Sequence, residues 1–469
     1  MGVHWVLDWF DKVAGEERPG AGLGQPAADT GGARPRATIV QRRPKHWSGP
    51  VEQRVTCKFD VSIVNPCGFH RSPLDCKTSA MFFTPSRSAG LAALAGFIPN
   101  AGRRYADTRN FDHGPTDRSN ISLLSPYLRY RLVTEAEVVS EIRREHSPQA
   151  AEKFLQEVLW RSYWKGWLEL RPSVWGRYSN DVAALHAKPG GWQKTYAQAL
   201  SATTGIDCFD AWVRELAEFG YLHNHARMWF ASIWIFTLRL PWQLGAELFY
   251  RQLYDGDAAS NTLSWRWVVG LQTEGKTYLA TADNVARYTG GRFMPAGLAT
   301  SARALSEPAN LPRDLPSSPG IPAGRVGLLL GEDDLHPESL PIRAETKVIA
   351  VASATVGNDR SRPVQEFISG ATADARERAA THFQAPVEAL SELTASDVRD
   401  WALRHHVHTI LVAHAPVGPG FTALDEVRTS LAGHGISLLF VRRAWDDIAW
   451  PEAKRGFFAF RQKAAALIG

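Results

Sequence analysis

Most of the side chains in this sequence that could do chemistry lie between Thr204 and Trp267, and their spacing is helical. In LYDGDAASNTLSWRW, Asp257, Asn261 and Trp265 follow one another at intervals of four, with Asp255 just ahead. Residues four apart share a helix face, so one stripe offers a carboxylate, an amide and an indole to a single planar ligand. Asp255 and Asp257 taken alone look like a metal pair, but no His or third carboxylate stands nearby at ligand spacing, and a capping turn before a helix is the stronger reading. No metal is expected. A second stripe sits upstream, where Glu157, Trp160 and Arg161 stand at i, i+3 and i+4. In ISLLSPYLRYR, Ser122 and Ser125 flank Leu123 and Leu124, and hydroxyls with free backbone N–H groups before a helix suit a phosphate.

The elements that must carry these residues follow from the patterning. The chain has 469 residues with 44% hydrophobic residues and a formal charge of +5, which excludes a wholly disordered protein and leaves nucleic-acid binding to a local basic face. Eleven of the 17 Trp fall between Trp160 and Trp267. Residues 1–82 mix Gly, Pro and Arg and read as a basic, poorly ordered arm. Residues 83–305 are helical in pattern. An amphipathic helix starts at a Ser147-Pro148 cap and runs through FLQEVLWRSYWKGWLEL, a second ends at Gly220, and a third runs from about His223 to Leu240. The apolar run Met228 to Leu238, bounded by Arg227 and Arg239, is far shorter than the roughly 20 residues a bilayer requires, so no membrane span is expected. The opening MGVHWVLDWFDK does not read as a secretory signal, and a cytoplasmic monomer is expected. Cys57, Cys67, Cys76 and Cys208 form no CxxC pair and read as free thiols. Residues 306–324, crowded with Pro and Ser, read as a linker. Beyond it, RVGLLLG, TKVIAVASA, HTILVAHAP and ISLLFVRR alternate with helical segments and predict a doubly wound α/β domain over 325–469. This domain has no GxGxxG or GxxxxGK[ST] cradle, and His405, His406, His408 and His414 read as solvent-facing. The fold class is therefore α + α/β, helical domain first.

The order of the strings resembles the FAD-binding helical domain of the DNA photolyase and cryptochrome family over about Ser86 to Gly291. ISLLSPYLRYR is similar to the family's TSxLSPYL, FLQEVLWRSYWK to FxxExxWRxF, TGIDCFDAWVREL to TGxPxVDAxMRxL, GYLHNHARM to GWMHNRxRM, and DGDAASNTLSWRW to DGDxAxNNGxWQW. The resemblance implies FAD as cofactor, held by Tyr105, Ser122, Leu123, Leu124, Ser125, Arg161, Arg227, Asp255, Asp257 and Asn261. Ile121 stands where the family has its leading Thr. Arg227 and Asp255 match an ion pair beside the isoalloxazine, and Asn261 matches the residue facing flavin N5, an amide in photolyases. Trp265 and Trp242 match the first two indoles of an electron chain, with Trp175 and Trp192 both open as the third. Glu157, Trp160, Asn224, Met228 and Trp267 match the contacts to a DNA lesion.

Asn224 and Met228 resemble the branch that acts on cyclobutane pyrimidine dimers, although His225 replaces the usual Arg and Tyr221 the usual Trp. His223 reads as a positioned cavity residue. The implied function is light-driven repair of damaged DNA, with Asn261, Trp265, Trp242 and Glu157 carrying the chemistry. The alternatives are a cryptochrome-like photoreceptor without repair activity and a nucleic-acid-binding protein that has lost its flavin. Typical members place an α/β antenna domain first, whereas here the similar segment comes last. The resemblance leaves its antenna chromophore open.

Overall fold

A computed structural model describes residues 81–357 and 359–468, and the expected arm of residues 1–82 lies almost wholly outside them. The helical part begins with α1 (Arg87–Phe97), capped by Ser86, and α2 (Arg103–Thr108). Next come α3 (Ser125–Arg129) and α4 (Glu135–Glu145), the latter opened by a Thr134/Glu137 capping box. The central element is α5 (Glu152–Glu169). It begins later than the sequence predicts, because Ser147 caps only a single turn, its hydroxyl accepting from the Ala150 N–H. It is also not amphipathic. Every residue from Phe154 to Glu169 is buried, since the C-terminal segment covers the flank that a lone helix would give to solvent.

Around α5 lie α6 (Ser173–Ala187), α7 (Gln193–Leu200) and α8 (Asp207–Phe219). Helix α8 stops at Gly220, whose φ of +58° and contact with the Tyr254 ring leave no room for a Cβ. Helix α9 (Asn224–Ser232) does not continue regularly to Leu240: it widens into a π-helical turn over Ile233–Thr237. Helices α10 (Trp242–Gln252), α11 (Ala258–Val268) and α12 (Ala282–Tyr288) complete this part.

The Pro-rich stretch has neither helix nor strand, as its composition requires, yet it is pinned along α5: the Arg313 N–H donates to the Leu170 carbonyl and Arg171 Nε to the Asn310 carbonyl, both at 2.8 Å. The sheet follows, from β1 (Gly324–Leu330), β2 (Thr346–Ser353), α13 (Arg362–Phe383), β3 (Val387–Ala389), α14 (Ala395–Arg404), β4 (Thr409–Ala413), α15 (Pro419–Ala432) and β5 (Ser437–Val441). Its five strands are parallel in the order β3-β2-β1-β4-β5, the doubly wound arrangement with its switch point between β1 and β4. Strand β3 carries no sequence signal because its three residues form a partly exposed edge. One face of the sheet shares a core with the helical part, Val326, Leu328 and Phe367 joining Tyr127, Leu128 and Phe154. The other face packs Leu329, Ile410 and Val412 under Trp401 and Leu424. Short helices α16 (Ala444–Ala449) and α17 (Phe457–Lys463) then return to α5, and the described residues form one compact unit.

Candidate functional site

Helices α9, α10 and α11 meet around the DGD turn. Arg227, one turn into α9, donates from both Nη atoms to Asp255 at 3.0 Å, and its Nε donates to the Leu222 carbonyl. Burial pushes the Asp255 carboxyl up, but the guanidinium outweighs it and holds the group below its ordinary range. Asp257 is the N-cap of α11, accepting from the Ser260 N–H at 2.8 Å, so the capping role expected of it is the one it has. Burial opposes its charge too, and Lys165, Arg161 and Arg129 together depress its carboxyl. Asn261 is fixed by a 2.7 Å hydrogen bond from its Nδ2 to the Ala246 carbonyl of α10.

Two buried cations on α5 face this turn. Arg161 Nη2 lies 3.6 Å from Asp257 and its Nε 3.4 Å from Glu135, and Lys165 Nζ lies 4.0 Å from Asp257. None of these three nitrogens makes a hydrogen bond among the described residues. Burial, reinforced by Arg161 and Arg131, draws the Lys165 ammonium down to about 8. Buried donors of this kind suit an anionic group such as the diphosphate of FAD, so the residues present fit the cofactor. Sequence reasoning missed Lys165, although it stands four after Arg161 in the same string.

In the Ser122–Ser125 turn the Ser122 hydroxyl accepts from the Leu124 N–H, and Leu123 takes a left-handed φ of +52°. Such a conformation in a residue with a side chain marks a constrained loop. Tyr105 lies buried between Phe97 and Phe154, its hydroxyl pushed well up by burial and by nearby Glu157. Glu157 is fully buried, and Arg109 Nη1 approaches it at 3.5 Å. No motif contains Arg109, which reaches Glu157 only through the fold. On α9, Asn224 Nδ2 points to the Met228 sulfur at 3.9 Å.

The four indoles singled out in the sequence have different surroundings. Trp267 stacks on Tyr278 at 5.5 Å, and Trp242 on Tyr178 at 5.6 Å. Trp160 is covered: Phe457 of α17 stacks face to face on it at 3.6 Å and 7°. The segment bearing Phe457 is tied to α5 by the Trp445 indole N–H to the Ser162 hydroxyl and the Tyr163 hydroxyl to the Arg455 carbonyl. Trp265, fully buried, stands edge-on to Phe249 at 5.2 Å and Trp234 at 6.3 Å.

Away from this cluster, crevices of about 380 and 360 Å³ open beyond the carboxyl ends of the strands, where doubly wound folds bind ligands. The first is lined by Ser353, Arg360 and Arg376, the second by His414, Phe421 and Phe440. His414 is therefore not solvent-facing as expected: its ring packs against Phe421, Phe440 and Trp450, and His405 pairs with Glu388. Cys208 is a buried free thiol, which burial pushes up to about 12; the other three cysteines lie outside the described residues. No helix among the described residues is long and apolar enough to cross a membrane.

The buried Arg–Asp pair and the capped DGD turn lie within the segment that the comparisons with known proteins match. Residues 154–290 match the FAD binding domain of DNA photolyase. Its cofactor is FAD. A deoxyribodipyrimidine photo-lyase of Streptomyces griseus is 36% identical over 161 residues, covering 33% of each chain. One from Thermus thermophilus is 31% identical over 239 residues, covering 49% of this chain and 53% of its own. The chain thus spans between a third and about half the length of these relatives. Among solved structures, a bacterial class III photolyase from Agrobacterium tumefaciens is similar over 44% of this chain and 43% of its own, at 26% identity and a TM-score of 0.38.

Proposed function

We propose that the protein is a deoxyribodipyrimidine photo-lyase, using light to split a cyclobutane pyrimidine dimer flipped out of DNA. FAD, when bound, supplies the light absorption and the one-electron chemistry. Arg227, fixed by Asp255, presents a cation in a buried site, where it stabilises negative charge far more than it would in water. Asn261, anchored to Ala246, keeps one orientation of its amide toward the cofactor. Arg161 and Lys165 would hold the diphosphate, and the Ser122–Ser125 turn would add hydroxyl and backbone donors. Glu157, oriented by Arg109, and Asn224 offer polar partners to the dimer's base edges, and Trp267 offers a stacking wall.

The observation that carries this reading is the buried Arg227–Asp255 pair, its Asp255 six residues ahead of the anchored Asn261, inside the segment that matches the flavin domain. The test is repair of a thymine-dimer oligonucleotide under blue light by protein reduced beforehand with dithionite, followed as recovery of thymine absorbance. A protein that is yellow before reduction but leaves the dimer intact would exclude repair and retain the flavin; one that is colourless before reduction would exclude both. One observation favours a second reading, a photoreceptor without repair activity: the Trp160 face expected to stack on a base is already occupied by Phe457.

A further inference from the structure

The family resemblance names Trp265 and Trp242 for electron supply, but the ring contacts lead elsewhere. Trp265 meets Trp234 edge to face, centroids 6.3 Å apart at 84°. Trp234 meets Tyr196 at 5.8 Å, and Tyr196 meets Trp192 at 5.6 Å, all within the contact range of aromatic pairs. Trp192 is only half-buried, so the series runs from the interior to solvent. Trp242 lies on a different row, stacked on Tyr178, which in turn meets Trp175 at 5.2 Å.

Three local features build the first row. Trp234 lies in the π-helical turn Ile233–Thr237, a distortion that re-aims side chains and is frequent at functional sites. Gly245 of α10 makes the indole contact possible: a Cβ there would come within 2.3 Å of Trp265 Cη2 and 3.0 Å of Trp234 Cε2. The Trp234 indole N–H donates to the Pro241 carbonyl at 2.9 Å. A backbone carbonyl is too weak a base to take that proton, so oxidised Trp234 stays a cation and passes its charge on.

We propose that Trp234, Tyr196 and Trp192 form the outward electron path from Trp265, with Trp192 as its solvent end. The inference rests on the flavin reading. With oxidised FAD bound and excited by light, Trp265 would give up one electron to it and Trp234 would refill Trp265. Trp192 refills Trp234 through Tyr196 and releases its indole proton to water, leaving a neutral tryptophan radical. A thiol in solution then returns one electron and one proton to Trp192.

Flash absorption spectroscopy of the full chain loaded with FAD, with a thiol present, tests this in Trp234→Phe, Trp192→Phe and Trp242→Phe. Trp234→Phe and Trp192→Phe should lose the long-lived neutral tryptophan radical and the accumulation of reduced FAD, while Trp242→Phe keeps both. Parental signals in Trp192→Phe, or their loss in Trp242→Phe alone, would overturn the path. Trp192 is at the surface, so its variant remains informative if Trp234→Phe fails to fold, and flavin content and melting temperature report folding separately. A parent chain that binds no flavin would overturn the underlying reading together with the path.

Discussion

A buried guanidinium and a buried carboxylate are each costly alone, and Arg227 and Asp255 are tolerable only because two 3.0 Å hydrogen bonds join them. Arg227→Met should therefore lower stability by about 3–5 kcal/mol, because Asp255 is left charged and unpaired. Arg227→Met combined with Asp255→Asn should recover part of that loss in urea unfolding. If the double variant is no more stable than the single one, the pair is not what holds this corner. Lys165 carries a pH signature. Its ammonium sits at about 8 in the folded chain, against about 10.4 for an unfolded lysine. Between these values the unfolded chain binds more protons, so stability should rise as pH climbs from about 8 toward 10. Lys165→Met should abolish that rise, and unfolding midpoints across this window decide the matter. The motif residues were legible because the chemistry fixes their spacing along one helix; Arg109 was not, because its partner Glu157 lies 48 positions away.

At the scale of elements, α5 shows why patterning reveals that a helix exists but not what surrounds it. Its hydrophobic repeat marked one buried face, yet Trp164, Lys165 and Glu169 are buried as well, because α16 and α17 return across it from the far end of the sequence. The packing depends on Gly166, where a Cβ would lie 2.7 Å from Trp450 Cα, an atom of the backbone that cannot turn aside. Gly166→Ala should cost about 1–3 kcal/mol by lifting the C-terminal segment, despite alanine's better helix propensity. Increased thermal stability of this variant would show that the segment docks loosely. Phe457→Ala probes the same contact from the other side. It should destabilise the chain by about 3–5 kcal/mol through the cavity it leaves. It should also increase affinity for dimer-containing DNA if Trp160 is a lesion wall, and leave that affinity unchanged if Trp160 is a core residue. A fluorescence anisotropy titration separates the two. The π turn after α9 was illegible for a different reason: MWFASIWIFTL is apolar at every helical phase, so its sequence does not register the change of pitch.

At the scale of the molecule, the succession of a helical part and an α/β part was readable from hydrophobic patterning, but their fusion into one body was not. The fusion is made by charge as well as by the shared apolar core. Arg131 reaches Asp446 at 2.7 Å and Asp334 at 3.4 Å, and Arg443 clasps Asp334 at 2.6 and 2.7 Å. Glu135 continues the network to Arg161 beside the DGD turn. Asp334, just after β1, is thus held below the ordinary carboxylate range at about 2, its burial outweighed by Arg443 and Arg131. A chain tied in this way should unfold as a single cooperative unit, although its sequence reads as two domains joined by a linker. Calorimetry should show one transition with equal calorimetric and van't Hoff enthalpies. Asp334→Ala leaves two buried arginines short of a partner and should shift that transition down as a whole, by about 3–5 kcal/mol. Two separated transitions in the parent chain, with the α/β part melting apart from the flavin domain, would sink this account of the junction, and Asp334→Ala would then move only one of them.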